Sequence, residues 1–274
     1  MRRRRKFKRT SMAALGTAAL LAGPVGAACS SGPTYEDWAA TDGAAGRINL
    51  DEVQKAFKDS GSATEFEKRV NEIYEGDEIV LIRNKQDGDS TTLEGWEDLN
   101  KSKEIDDDQD DLLFTIVKNN DKHEMRGHGS NGYYRSNFGA GNFLFTYMMI
   151  SAMSPRGYYY STPINRYDTM NRNRSNYRSS STYRSQVTKN SNYFSRQKSF
   201  ARSSYTNAAK NTSASRNSYL SSQKSSGAFK SSSTGVRSSW GSRSSSGRTS
   251  ASSGGFRGGG GGASVIGFVR PSLR

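Results

Sequence analysis

Glu78-Ile-Val-Leu-Ile-Arg83 is the point at which the pattern of this chain changes from helical to extended. A short apolar run bounded by charge reads as a strand. Gln86-Asp-Gly-Asp89 then reads as a turn, and Ser90 to Trp96 as the partner strand. Leu112-Leu-Phe-Thr-Ile-Val117 supplies a third strand, Asn119-Asn120-Asp121 a second turn, and His123 to Arg126 a candidate fourth strand. Hairpins of this kind impose antiparallel pairing.

Upstream the spacing is helical. Asn49-Leu-Asp-Glu52 has the form of a capping box, and Leu50, Val53 and Phe57 follow on one face. A second start is expected at Thr64, with Phe66, Val70, Ile73 and Tyr74 as its stripe, ending near Gly76. Residues 47–153 are therefore expected to form a small α+β domain, an antiparallel meander with two N-terminal helices covering one face. About 100 residues can bury one modest core.

Downstream, Phe143 to Met153 is apolar on nearly every side. It is shorter than the roughly 20 residues that span a bilayer. One reading is a buried helix or strand that completes the domain. The other is a membrane-surface or partner-binding patch, since Tyr158-Tyr-Tyr160 follows it. From Ser154 to Arg274 no apolar period persists, and serine, asparagine, glycine, arginine and tyrosine dominate. Such a composition does not offset about 1–2 kcal/mol of backbone entropy per residue, so residues 154–274 are expected to be a long disordered tail.

Charge divides the chain in the same places. The net charge of +14 combines three blocks. Residues 1–28 hold seven basic side chains and no acid. Residues 29–153 hold 13 basic and 25 acidic groups, a net of −12. Residues 154–274 hold 20 basic groups and one acid, Asp168, a net of +19. This asymmetry points to a folded acidic part and a basic arm that seeks polyanions.

The N-terminus reads as an export signal over residues 1–28. Arg2 to Arg9 is basic, Ser11 to Ala22 is a short apolar run, Pro24 breaks it, and Gly26-Ala27-Ala28 precedes Cys29. Cys29 is the only cysteine in the chain. Ala27, Ala28 and Cys29 resemble the bacterial lipoprotein signal, in which the cysteine is acylated with fatty chains such as palmitate and becomes the mature N-terminus. Gly26 departs from that pattern, which prefers leucine there. The resemblance implies a membrane anchor on Cys29, with residues 29–46 as a linker. The alternative is ordinary secretion, with Gly26-Ala27-Ala28 as the cleavage site. Arg4-Arg5-Lys6-Phe7-Lys8 resembles part of a twin-arginine signal, with Lys8 where an apolar residue is usual; the general secretory route is the alternative.

Three sets of residues carry candidate chemistry. Asp98, Asn100, Ser102, Glu104 and Asp106 recur on alternate positions and resemble the calcium loop of EF-hand and dockerin-type modules. Lys103 stands where that loop needs glycine, and Gln109 where it needs a bidentate acid. The alternative is a solvated acidic loop between strands. His123 and His128 are five apart, about 140° apart on a helix and on opposite faces of a strand, so they form no zinc-protease pair. No nucleophile elbow and no phosphate-binding glycine loop occur, and no small-molecule substrate, catalytic residue or further cofactor is indicated. In the tail, Arg172, Arg174, Arg178, Arg184, Arg196 and Arg202 alternate with Tyr177, Tyr183, Tyr193, Phe194, Phe200, Tyr205, Tyr219 and Trp240. Guanidinium groups follow phosphates, and aromatic planes stack on bases.

The sequence thus leads to the expectation of a non-enzymatic, membrane-tethered envelope lipoprotein whose basic tail binds envelope polyanions or anionic lipid. The alternative is a cytoplasmic nucleic-acid-binding protein with an arginine- and aromatic-rich disordered region. A secreted hydrolase would need a convergent acid or histidine site, which the sequence does not contain. A plain flexible spacer is the remaining reading of the tail.

Overall fold

The computed structural model describes residues 35–87, 90–119, 122–139, 143–148 and 157–226. The expected signal peptide, Cys29 and residues 227–274, Trp240 among them, lie outside this set.

Six strands form one antiparallel sheet: β1 Val80–Asp87, β2 Ser90–Glu97, β3 Asp111–Asn119, β4 Lys122–Gly127, β5 Arg135–Gly139 and β6 Tyr158–Ser161. Their order is β5-β4-β3-β2-β1-β6, so the first five are the expected meander with one strand added, and β6 pairs with the free edge of β1. Opposed residues share a face. Ile82, Gly95 and Phe114 lie in one row, and Leu93, Ile116 and Met125 in the next. Gly95 leaves room for the Phe114 ring: a Cβ there would sit 2.3 Å from a ring carbon.

The helices are α1 Tyr35–Ala39, α2 Leu50–Asp59, α3 Ala63–Ile73, α4 Phe143–Met148, α5 Tyr167–Arg178, α6 Ser181–Lys210 and α7 Ala214–Ser226. Asn49 caps α2, its side chain accepting from the Glu52 N–H at 3.2 Å. α3 starts earlier than expected because Ser62, not Thr64, is its cap. The Ser62 hydroxyl accepts from the Glu65 N–H, and the Glu65 carboxylate returns to the Gly61 N–H. Leu50, Val53 and Phe57 of α2 and Phe66, Val70 and Ile73 of α3 pack on the Ile82–Leu93–Ile116 face. Leu144, Phe145 and Met148 of α4 join the same core, which is the buried reading of the 143–153 segment for its described part; residues 149–153 lie outside the described set. Among the described residues no helix is long and apolar enough to cross a membrane.

Two boundaries differ from expectation. α1 lies inside the expected linker and buries Trp38 against Ala44, Leu99 and Tyr219. Residues 158–226, expected to lack structure, form β6 and α5 to α7 against the head. Their contact stripe is mostly polar: Tyr167, Met170, Arg174 and Arg178 on α5, then Tyr183, Gln186, Asn190, Tyr193 and Phe194 on α6. These residues fall at helical spacing. Hydrogen bonds to the head therefore supply part of what the missing aliphatic side chains do not.

Candidate polyanion interface

Burial decides which cations of the arm can meet a ligand. The connection from α3 to β1 exposes a row of backbone carbonyls with no ladder of their own. Arg174 donates to the carbonyls of Glu78 and Asp77, the latter at 2.7 Å. Arg178 donates to those of Tyr74 and Gly76 at 2.8 and 3.0 Å. Asn190 adds bonds to the Ile73 carbonyl at 2.8 Å and the Glu75 carboxylate at 2.9 Å. Both arginines are buried, and burial pushes both guanidinium groups below their ordinary pKa. Arg174 and Arg178, expected to contact polyanions, instead fasten α5 to the head. Their spacing of four residues on a helix, set by Met170 and Tyr167 on the same side, turns them inward.

Arg216 on α7 reaches further. It is 1% exposed and meets two carboxylates at once. Its Nη2 pairs with Glu97, and its Nε donates to Asp111 Oδ2 at 3.0 Å. Glu97 and Asp111 are opposed on β2 and β3, so the register of the sheet creates this doubly acidic pocket. The Tyr74 hydroxyl donates to Glu97, and the Glu78 N–H does so at 3.1 Å. Gly46, at φ +74°, lets the guanidinium lie against the backbone: a Cβ there would be 2.7 Å from Nη2. Burial opposes charge on Arg216, but Glu97, Tyr74 and Asp111 overcome it and hold its pKa well above the ordinary value. Burial also lifts Glu97 above the usual carboxylate range, with Arg216 pulling the other way.

The remaining nominated arginines, Arg172, Arg184, Arg196 and Arg202, face solvent. Lys189, Lys198, Lys210 and Lys224 do the same. No Asp or Glu occurs from 169 to 226 to neutralise them. Their acidic neighbours come from the head and are loosely held: Arg196 lies 3.6 Å from Asp51, Lys189 3.5 Å from Glu52, and Lys224 3.4 Å from Glu36. Exposed pairs of this kind contribute only about 0–1 kcal/mol, so a denser anion can replace them. The aromatics divide in the opposite way. Tyr183, Tyr193, Phe194, Tyr205 and Tyr219 are buried, Tyr177 is half-buried, and Phe200 is 87% exposed. The buried rings are unavailable as stacking platforms for bases.

The acidic loop is organised around its own backbone. Asp98 accepts from the N–H groups of Ser102 and Lys103 at 3.0 and 2.9 Å, and Asn100 accepts from Ser102 at 2.8 Å. The Ser102 hydroxyl donates to the Glu104 carbonyl, and Asp106 accepts from the Asp108 N–H at 3.0 Å. Asp110 accepts from Leu99 and Asp106 N–H groups, and burial raises its pKa to about 7. Lys103 adopts φ 68° where a calcium loop would carry glycine. Among the described residues no cluster of three or more His, Cys, Asp or Glu is placed to hold a metal ion. The two histidines serve different places. His123 is buried among Phe57, Phe138 and Phe145 with neither ring nitrogen hydrogen-bonded, whereas His128 Nε2 lies 2.9 Å from Thr115 Oγ1.

No protein-family model, curated protein or solved structure matches this chain. Sequence reasoning missed the buried charge clasp that Arg216 forms with Glu97, Asp111 and Tyr74, and the role of Asn190 on α6. A signal for part of it exists in the polar stripe at helical spacing along α5 and α6, which a search for apolar periods alone passes over.

Proposed function

We propose that this chain is a non-enzymatic lipoprotein of the bacterial envelope, tethered by acylated Cys29, whose basic helices hold polyanions. The observation that carries the binding part is the solvent face of α5 to α7, where Arg172, Arg184, Arg196 and Arg202 are exposed and Asp168, at the start of α5, is the single acid. The arginines that neutralise the head are separate and buried, so the outward ones remain for a ligand. A linear or planar polyanion gains counterion release on meeting such a face. The tether is supported by the placement of the sole cysteine directly after Gly26-Ala27-Ala28.

Two measurements test the two halves. Labelled fatty acid should be incorporated in cells and lost in Cys29→Ala. The chain carrying Cys29→Ser should bind phosphatidylglycerol vesicles and duplex DNA at low salt, and binding should weaken steeply as salt rises. Replacing Arg172, Arg184, Arg196 and Arg202 together by Gln should remove most binding to both ligands. Binding absent at low salt, or indifferent to salt, overturns the polyanion reading.

A further inference from the structure

Phe200 is the most exposed of the large apolar side chains in the described residues, ahead of Ile164 at 51% and Tyr147 at 44%. Its position within α6 is unusual in a second respect. Two residues later, Arg202 adopts φ 41° and ψ −110°, breaking the helix into two limbs. A non-glycine residue in such a conformation is strained and persists only where its surroundings hold it. Here both limbs are fixed. Tyr193 and Phe194 before the break are buried, and so are Tyr205 and Ala208 after it. Tyr205 packs on Tyr133 with ring centroids 4.7 Å apart, and the Arg47 guanidinium lies over the Tyr205 ring at 5.4 Å. The break is therefore an apex between two packed limbs, with Phe200 turned outward from it.

The residues around that apex are cationic or small. Arg196 lies one helical turn before Phe200, and Lys198 and Arg202 flank it in sequence; all three are exposed. Ser199, Ser203 and Ser204 are exposed as well, so no bulky neighbour shields the ring. Arg196 lies 3.6 Å from Asp51 of the head. An aromatic ring that protrudes among cations from a pinned apex matches a surface that is anionic outside and apolar a few ångströms beneath. That surface is an anionic bilayer. A nucleic acid offers the charge but asks for rings that stack on bases, and the arm buries most of its rings.

We propose that the α6 apex, with Phe200 at its tip and Arg196, Lys198 and Arg202 around it, is a membrane contact that inserts Phe200 between anionic headgroups. This rests on the polyanion reading of the basic face and names its partner. A lipid on Cys29 would hold the chain at the same surface, and the apex would then fix the orientation of the head on it.

The test uses the whole chain in a Cys29→Ser background, which leaves no cysteine. In Phe200→Cys, labelled with an environment-sensitive fluorophore, emission should shift to the blue and strengthen on phosphatidylglycerol vesicles, and should not change with phosphatidylcholine vesicles or duplex DNA. Phe200→Ser should weaken binding to phosphatidylglycerol vesicles roughly tenfold, the scale of one phenyl ring removed from an apolar environment. It should leave duplex binding unchanged, since an exposed ring contributes little to the fold. Unchanged vesicle binding in Phe200→Ser, or an unshifted probe on bound vesicles, overturns the proposal while leaving the basic face intact. An equal loss of DNA binding overturns it in favour of base stacking. Loss of both ligands in the quadruple arginine variant alone would leave the apex the part in error.

Discussion

Arg216→Ala isolates the clasp. The substitution removes the cation that, among the described residues, meets both Glu97 and Asp111. Glu97 keeps the Tyr74 hydroxyl and the Glu78 N–H, but it remains a buried carboxylate with an acidic neighbour across the strand pair. Removing one partner of a buried ion pair costs about 3–5 kcal/mol, because the other charge is left uncompensated. For a fold of this size that corresponds to a melting temperature lower by roughly 6–20 °C. The loss also carries a pH signature. Burial already raises the folded pKa of Glu97 above its ordinary value of 4.5, and deleting Arg216 removes the attraction that opposes this rise. A raised carboxyl group contributes stability that is present at low pH and is lost as pH climbs through its folded pKa. The deficit of Arg216→Ala should therefore be smaller near pH 4 than at pH 8. Combining Arg216→Met with Glu97→Gln and Asp111→Asn should recover most of the lost stability, because no buried charge then remains. Urea melts of the unsubstituted chain, Arg216→Ala and the triple variant across pH measure all of this. A deficit under about 1 kcal/mol at pH 7, or one that does not vary with pH, refutes the account of a buried charge clasp.

Other expectations follow from single groups. Burial raises Asp110 from 3.8 to about 7, so it contributes stability at low pH that fades as pH rises through about 7; Asp110→Asn should flatten the stability profile in that range in thermal melts. His123 has its pKa lowered, first by burial and then by Lys118, so its contribution is present above 6.5 and is lost as pH falls below it. His123→Phe should remove that slope and add roughly 1 kcal/mol, since two unsatisfied ring nitrogens leave an aromatic box; a destabilised variant would show that the box needs the imidazole. Limited proteolysis followed by mass measurement should leave residues 158–226 resistant together with the head; cleavage between 158 and 180 as the first event would contradict the docked helices.

The meander was legible because its strands are apolar runs separated by Asp-Gly and Asn-Asn-Asp turns, signals that depend on local chemistry alone. The caps at Asn49 and Ser62 are equally local, and the latter was displaced by two residues because Ser and Thr both fit an N-cap. The arm was not legible by the same means. Its contact residues include Arg174, Arg178, Asn190 and Arg216, which donate to carbonyls and carboxylates more than 90 residues away. Entropy arguments from composition count apolar area and give no weight to a guanidinium that satisfies two buried acceptors. The basic character of the candidate interface was readable, but which arginines face outward depends on helix phase. Helix phase requires knowing that the segment is helical.

The clasp also sets the order in which this molecule can be completed. Arg216 lies 119 residues after Glu97, 142 after Tyr74 and 172 after Ala44, all of which it touches. A chain leaving a ribosome or a translocation channel presents its N-terminal end first, and domains close from that end where they can. This one cannot. Until α7 has emerged, Glu97 and Asp111 lack their cation and Trp38 lacks Tyr219. The sheet can assemble early, yet its acidic pocket stays open to water until nearly the last described helix arrives. Any premature stop before residue 216 yields a chain that cannot seal that pocket, so the head's final closure reports that the arm has been made.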